Sequence, residues 1–344
     1  MTDIIGSNPH RFLGIGVSVT DPVQLIQKIR AALEPRSLGA WPTPLEHAPA
    51  LAAAVGGGLA ELVLKREDRS SGRYGGNKVR ALEFLFAGTP AGTVFVTVGG
   101  TGSTHCLATA VHAAAVGCRA AIAHFPQPDT AESRAVAAAT AAHAAFVVQA
   151  RARVTLPLAV VEAWRRARSL GPSRWIPGGG AHARAVVGHL IAGLELADQV
   201  DQPPEAIVLP LGTGGTTAGL ALAVATLGWP TRVLAVRVAP AIVANRWRCM
   251  GLALGAQRIL ERHGVPLPVP RAPEIVDGVG RGYGWPTPDG ESARLLAAEH
   301  SIALDPTYGA KAFAVLLRRA AGNVRRAVFW HTFAVPGPTL EPAA

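Results

Sequence analysis

A lysine at the end of the stretch Gly75-Gly-Asn-Lys78 is the first candidate for chemistry in this chain. The apolar run Leu62-Val-Leu64 leads into a segment rich in serine and glycine, and Lys78 stands where that segment ends. Apolar residues then recur at helical spacing from Val79 to Phe86. Glycine lets the backbone approach a ligand, and a lysine removed from water becomes a nucleophilic amine that can form a Schiff base. In isolation, the stretch would predict only a surface lysine after a turn.

The loop Gly212-Thr-Gly-Gly-Thr216 is a candidate phosphate site, because it follows the apolar run Ile207–Leu211 and precedes a helical stretch. Backbone N–H groups at a helix N-terminus, joined by the hydroxyls of Thr213, Thr216 and Thr217, can bind a phosphate without a metal. The loop is not a Rossmann fingerprint, since threonine replaces the third glycine, and it lacks the Gly-Lys-Ser/Thr of a Walker A loop. An ordinary turn between a strand and a helix is the alternative.

A second glycine loop ends in Ser103-Thr-His105, again before a helical stretch. A hydroxyl at this place can bind a carboxylate, relay a proton or act as a nucleophile. The simpler alternative for Ser103 is a helix N-cap. We interpret His105 as an orienting or packing residue rather than the base, and Cys106 as a buried, inert thiol.

Continuous apolar runs predict the strands that would position these loops, because strands buried on both faces are typical of parallel sheets covered by helices. The predicted strands are 61–66, 93–98, 119–125, 144–149, 206–211, 232–238 and 327–330. The predicted helices are Pro22–Leu33, 79–87, 104–116, 130–142, 155–168, 181–199 and 216–227. This alternation predicts an α/β fold, in which ligands bind where strands end, and a third loop, Gly178-Gly-Gly180, falls at such an end.

Two segments outside this alternation also carry predictions. Pro42-Thr-Pro-Leu-Glu46 predicts a turn that feeds a helix. Segment 263–290 is rich in proline and glycine, which predicts a long irregular loop of the kind that often has a function.

Composition excludes several classes of protein. Apolar residues make up 49% of the 344 residues and charged residues 16%, which excludes a wholly disordered chain. The net charge of +10 is spread over helical segments without a basic tail, so we expect a solvated basic surface that could attract anionic substrates, and no nucleic-acid partner. The histidines show no His-x-x-x-His spacing, so we expect no metal site.

Three cysteines without a Cys-x-x-Cys pair predict no disulfide framework and favour a reducing compartment. The N-terminus lacks the features of a signal peptide, and polar residues interrupt the alanine-rich runs 105–125 and 135–150. We therefore expect a cytoplasmic protein with no membrane partner.

In order and spacing, these stretches together resemble the family of 1-aminocyclopropane-1-carboxylate (ACC) deaminases and D-cysteine desulfhydrases, from about Pro42 to Pro336. The matching stretches are Pro42-Thr-Pro-Leu-Glu46, Lys65-Arg-Glu-Asp68, Gly75-Gly-Asn-Lys78, Gly99-Gly-x-x-Ser103-x-His105, Ile176-Pro-x-Gly-Gly180, Gly212-Thr-Gly-Gly-Thr216, Gly282-Tyr-Gly284, Asp305-Pro-x-Tyr308, Lys311 and His331-Thr332.

The resemblance implies an enzyme dependent on pyridoxal 5'-phosphate (PLP), with fold type II, the tryptophan-synthase β fold. That fold has two open, mostly parallel sheet domains with flanking helices and PLP in the cleft between them. Residues 82–180 would form the small domain, whereas 1–81 and 181–344 would form the large PLP-binding domain, with 1–36 as an N-terminal extension. Members of the family are usually homodimers.

The resemblance also implies roles for individual residues. Lys78 would hold the cofactor covalently and move protons at the substrate Cα, and Asn77 would contact the phenolic oxygen of the cofactor. The phosphate would be bound by Gly212, Thr213, Gly214, Gly215 and Thr216. Ser103, Thr104 and His105 would bind the substrate carboxylate. Ser103 would also take part in proton transfer. Tyr283 and Tyr308 match two catalytic tyrosines, for which buried packing is the alternative.

Three positions depart from the pattern of the family. Next to the pyridine nitrogen the deaminases carry Glu and the desulfhydrases usually Thr, but this chain has Gly309. Thr332 is our candidate for a substitute. Thr104 replaces an asparagine, and Phe333 adds bulk where the family has glycine. The absence of an acid at Gly309 argues against opening of the cyclopropane ring of ACC.

We therefore expect a PLP-dependent lyase that acts on a small amino acid, like the D-cysteine desulfhydrases. Such an enzyme removes the Cα proton, expels a β-leaving group and releases pyruvate and ammonia. The alternatives are β- or γ-replacement in a biosynthetic pathway, ACC deamination, or a relative that binds PLP without turnover. The sequence leaves the substrate, its chirality and the partner of the pyridine nitrogen open.

Overall fold

The computed structural model describes residues 21–320, 322 and 324–333, and their strands form two sheets. The six-stranded sheet has, in spatial order, β1 (Leu45–His47), β2 (Glu61–Arg66), β10 (Arg326–His331), β7 (Ala206–Leu211), β8 (Arg232–Arg237) and β9 (Glu274–Asp277). The four-stranded sheet has β5 (Phe146–Gln149), β4 (Arg119–Phe125), β3 (Val94–Gly100) and β6 (Ser173–Trp175). Neighbouring strands are parallel, except that β1 runs antiparallel to β2.

Helices connect the strands and cover both sheets. In the described part of the chain they are α1 (Pro22–Leu33), α2 (Pro49–Val55), α3 (Lys78–Leu85), α4 (Thr104–Ala115), α5 (Ala131–His143), α6 (Leu156–Leu170), α7 (Ala183–Ala197), α8 (Gly215–Thr226), α9 (Arg246–Arg262), α10 (Pro288–Glu299) and α11 (Gly309–Ala320). Among these described helices, none is long and apolar enough to cross a bilayer.

Burial on both faces explains why the strands are continuously apolar. In β7 all six residues are buried, and they alternate between two cores. Val208 packs with Phe313 of α11 on one face, whereas Leu209 packs with Leu220 of α8 on the other. A side-chain period of two places these neighbours on opposite faces, so both faces of the sheet need apolar residues.

The structure confirms the predicted fold class and the seven predicted strands, with bounds that shift by one or two residues. It also confirms helix Pro22–Leu33, while the first 20 residues of the predicted N-terminal extension lie outside the described residues.

Three strands and three helices were not predicted from the sequence. β1 and β6 have three residues each, too short for a periodic pattern, and β1 shows that Leu45 and Glu46 are strand rather than turn. Segment 263–290 is not wholly irregular, because it contains the edge strand β9, whose residues are only partly buried. The helices α9, α10 and α11 were also missed, although α9 alone has 17 residues. The helix α2 is the one that segment 42–46 was predicted to feed.

Candidate active site

A cavity of about 370 Å³ lies where the carboxyl ends of β3 and β7 meet the first turns of α3, α4 and α8. All residues with a predicted catalytic or binding role lie in its wall. They are Asn77, Lys78, Ser103, Thr104, His105, Gly212, Thr213, Gly214, Gly215, Thr216, Tyr283, Tyr308 and Thr332. The fold therefore brings together residues from both sheets, while their roles stay predictions.

Lys78 begins α3, and its side chain lines the cavity. The turn before it is held by backbone hydrogen bonds: the N–H of Gly76 donates to Glu67 and the N–H of Asn77 to Thr332, at 3.0 and 2.9 Å. Burial lowers the pKa of Lys78 to about 8. The ammonium form loses its hydration there without gaining a carboxylate, so the neutral, nucleophilic amine is accessible near neutral pH.

The predicted phosphate loop begins α8. Gly214 has φ +94°, a conformation that favours glycine, and no side chain caps the N-terminus of this helix. A Cβ on Gly179 would lie 2.4 Å from Oγ1 of Thr213. The glycine loop 178–180 therefore packs closely against the predicted phosphate loop. The amide of Asn77 donates to Thr216 Oγ1 at 2.8 Å, which connects α3 to α8.

Ser103 is the N-cap of α4, as its simpler interpretation predicted, and its Oγ accepts the N–H of Cys106 at 3.4 Å. It also lines the cavity, so capping does not remove it from the site. His105 lies behind it, with Nε2 2.9 Å from Oγ1 of Thr97. Burial lowers the pKa of His105 to about 3, so the ring is neutral and suits an orienting role. Burial raises the pKa of the Cys106 thiol to about 12, which agrees with an inert thiol.

Tyr283 and Tyr308 face each other, and their hydroxyl oxygens are 2.7 Å apart. Burial raises the pKa of both phenols, which therefore stay protonated. A pair of hydrogen-bonded hydroxyls can hold and pass on a proton.

Gly309 lies behind the cavity wall, against Asp305. A Cβ on Gly309 would lie 3.1 Å from Oδ2 of Asp305, which already accepts the Gly309 N–H at 2.8 Å. Burial raises the pKa of the Asp305 carboxyl. Thr332 lines the cavity and is buried, so it remains our proposed neighbour of the pyridine nitrogen. Phe333 also lines the cavity and packs on Tyr74, with ring centroids 5.1 Å apart.

Several residues in and beside the site were not predicted from the sequence. Arg153 and Phe125 line the cavity but belong to no motif. His189 lies behind the phosphate loop, beside Gly215 and Gly219, and its Nδ1 has no partner among the described residues. A histidine within an otherwise apolar helical stretch was a visible signal, whereas nothing marked Arg153.

The described residues fit PLP. Lys78 supplies the amine that an aldehyde needs, and the first turn of α8 offers uncapped N–H groups with threonine hydroxyls for a phosphate. Asp305 carries the only carboxylate among the described residues of the wall. This carboxylate already accepts the backbone N–H groups of residues 307, 308 and 309, so it is engaged within the protein.

Comparison with known proteins places the chain in a family. The family described as "Pyridoxal-phosphate dependent enzyme" matches residues 36–332. Nocardicin C-9' epimerase of Nocardia uniformis subsp. tsuyamanensis is 36% identical over 312 residues, which cover 86% of this chain and 93% of that protein. D-cysteine desulfhydrase of Klebsiella pneumoniae subsp. pneumoniae is 30% identical over 289 residues, which cover 80% and 85%.

Among solved structures, an ACC deaminase homologue matches with a TM-score of 0.75 and 28% identity, covering 89% of this chain and 94% of its own. Fold, site and sequence thus agree on one cofactor. The chain belongs to the family of pyridoxal-phosphate dependent enzymes, in the group of the ACC deaminases and D-cysteine desulfhydrases.

Proposed function

We propose that this enzyme labilises the Cα proton of an amino-acid substrate and returns a proton to the same carbon, so that it epimerises the substrate. The observation that carries the proposal is the cavity wall itself: an amine with a lowered pKa, Lys78, shares it with the hydroxyls of Ser103, Tyr283 and Tyr308. Epimerisation needs one group to take a proton and another to give one, and these groups supply both.

When bound, PLP would supply an electron sink for negative charge at Cα. Lys78 takes the proton, because its amine is neutral above about pH 8. Ser103 and the uncapped part of the α4 N-terminus bind the substrate carboxylate. The tyrosine hydroxyls remain protonated and can donate.

Gly309 supports epimerisation over reactions that need a longer-lived negative charge. Without a side chain, Gly309 offers no acid to hold a proton on the pyridine nitrogen, so the electron sink would be weaker than with glutamate at this position. A short-lived charge at Cα favours return of a proton. The 36% identity to an epimerase adds support.

Elimination from a D-amino acid such as D-cysteine, giving pyruvate and ammonia, is the second candidate. The hydrogen-bonded tyrosine pair favours it, because a protonated phenol can protonate a leaving group. The 30% identity to a D-cysteine desulfhydrase adds support.

Proton NMR in D2O distinguishes the two reactions. The enzyme is incubated with single enantiomers of a panel of amino acids, D-cysteine included, beside Lys78→Ala. Epimerisation predicts exchange of the Cα proton with appearance of the other enantiomer, and elimination predicts pyruvate. If neither the Cα proton exchanges nor pyruvate forms with any substrate, the proposal is wrong.

We also propose that the protein is a homodimer, as its family resemblance implied, and that it is cytoplasmic, as its three cysteines without a Cys-x-x-Cys pair indicated. Light scattering during size-exclusion chromatography measures the molar mass; 35.6 kDa, the mass of one chain, would contradict the dimer.

A further inference from the structure

Charged side chains are rare in the cavity wall, and one of them has no partner. Lys78, Arg153 and Asp305 are the charged residues that line it. Lys78 is needed for the cofactor and Asp305 caps α11. The backbone carbonyl of Arg153 accepts the N–H of Leu156, but its side chain makes no hydrogen bond or ion pair with any residue in the described ranges. The five donors of the guanidinium are therefore open to a ligand.

The place of Arg153 is set by its neighbours. Its guanidinium carbon lies 5.6 Å from the centroid of the Phe125 ring, and Phe125 also lines the cavity. Burial raises the pKa of Tyr283, and the positive charge of Arg153 opposes that rise only slightly. Arg153 itself is exposed, which places it at the open end of the cavity.

The wall around this end is apolar. Leu156 and Val243 both line the cavity. The same two segments continue into exposed apolar side chains, Val154 and Ile242, each 86% exposed. Substrate atoms that extend out of the cavity would therefore meet apolar surfaces beside a cation.

We propose that the substrate is an extended amino acid with an apolar body and a distal carboxylate, and that Arg153 binds this carboxylate. The inference rests on the proposed function, since it assumes that the amino-acid end lies at Lys78 and Ser103. A guanidinium binds a carboxylate through two parallel hydrogen bonds, which selects for a planar anion. D-cysteine has no such group and would occupy only part of a cavity of about 370 Å³.

Pairs of amino acids that differ only in the distal group test the inference. The probes are D- and L-2-aminoadipate, 2-aminosuberate and 4-carboxyphenylalanine, each beside the amide that replaces its distal carboxylate. Affinity for the PLP-loaded enzyme is measured by calorimetry, and exchange of the Cα proton by NMR. We expect at least one acid to bind about 10- to 100-fold more tightly than its amide, as for a charged hydrogen bond.

Arg153→Gln should remove this preference and leave binding of the amide unchanged. Arg151→Gln is the matched control, because Arg151 is exposed and lies two residues away, outside the cavity wall. It should retain the preference. The inference is wrong if no acid is preferred over its amide, or if Arg151→Gln weakens the preference as much as Arg153→Gln. Preference without Cα exchange would contradict the proposed function alone.

Discussion

At the scale of single residues, the surroundings of Lys78 decide what the cavity can do. The side chain lines the cavity, and burial lowers its pKa to about 8 without a neighbouring carboxylate to oppose the shift. His105 and His189, whose pKa values burial lowers, are neutral neighbours rather than cations. A neutral amine in neutral surroundings is the condition for covalent attachment of an aldehyde.

This pKa predicts how loading of the apoprotein with PLP depends on pH. A lowered pKa means that the amine becomes neutral at a lower pH, so the loading rate should rise with pH and reach half its maximum near pH 8. An ordinary lysine would reach that point near 10.5. The measurement is absorbance after mixing, with Lys78→Ala as the control that should not load covalently. Half-maximal loading above pH 10 would contradict the enclosed lysine.

At the scale of elements, a buried group of charges anchors α3. Arg80, which is 2% exposed, donates to Glu67 at 2.6 Å and to Glu195 of α7 at 2.7 Å. Lys65 of β2 lies 3.6 Å from the same Glu195. Arg80 is two residues from Lys78, so these contacts hold the first turn of the helix that carries the lysine.

Replacing Arg80 by methionine should lower the free energy of unfolding by about 3–5 kcal/mol, because two buried carboxylates lose their main partner. Urea denaturation measures this change. The control is Arg166→Met, which breaks an exposed ion pair with Glu162 on α6 and should cost about 0.5 kcal/mol or less. Equal costs for the two variants would show that the buried charges do not anchor α3.

The first turn of α8 allows a second test at this scale. Gly214 has φ +94°, and a Cβ there would lie 3.1 Å from the sulfur of Cys249. Gly214→Ala should therefore displace the N–H groups that we propose to bind the phosphate and weaken PLP binding about tenfold, which is roughly 1.4 kcal/mol.

Gly228, just beyond the other end of α8, provides the matched control. It also has a positive φ, +67°, but a Cβ there would meet no atom within 4 Å. Gly228→Ala should lower the melting temperature through backbone strain and leave the affinity for PLP unchanged. Fluorescence titration of the two apoproteins with PLP measures the affinities. If both variants bind PLP alike, the phosphate is not bound at the start of α8.

At the scale of the whole molecule, the two sheets suggest the division of the chain that we propose. All strands of the four-stranded sheet fall within the proposed small domain, 82–180, and those of the six-stranded sheet come from its two flanks. The boundary falls inside α3. Leu82 packs in the core of the four-stranded sheet, whereas Phe84 packs with α7 and α8. The helix that carries Lys78 thus contacts both parts.

The net charge of +10 predicts a salt effect on the rate at which PLP binds. A positive protein attracts an anionic ligand over long distances, and salt screens this attraction. Raising the salt concentration from about 0.02 to 0.2 M should slow association of PLP with the apoprotein several-fold. Pyridoxal, which lacks the phosphate, is the control and should show little change. An equal salt effect on both compounds would contradict electrostatic attraction of the phosphate.

The sequence by itself determined the family, the cofactor and the parts of the fold that carry them. Glycine, lysine and threonine motifs next to continuous apolar runs identify strand ends, because buried parallel strands need apolar residues on both faces. The predicted strands are present in the structure, and the residues with a predicted role all line one cavity.

Only the tertiary structure decided what surrounds those residues. The pKa of Lys78 depends on its burial in the folded chain, and the tyrosine pair depends on a contact across 25 residues of chain. Arg153 belongs to no motif, and it reaches the cavity only because the turn before α6 lies beside the loop after β8. Such contacts join residues far apart in the chain, and local patterns of hydrophobicity and turn residues carry no record of them.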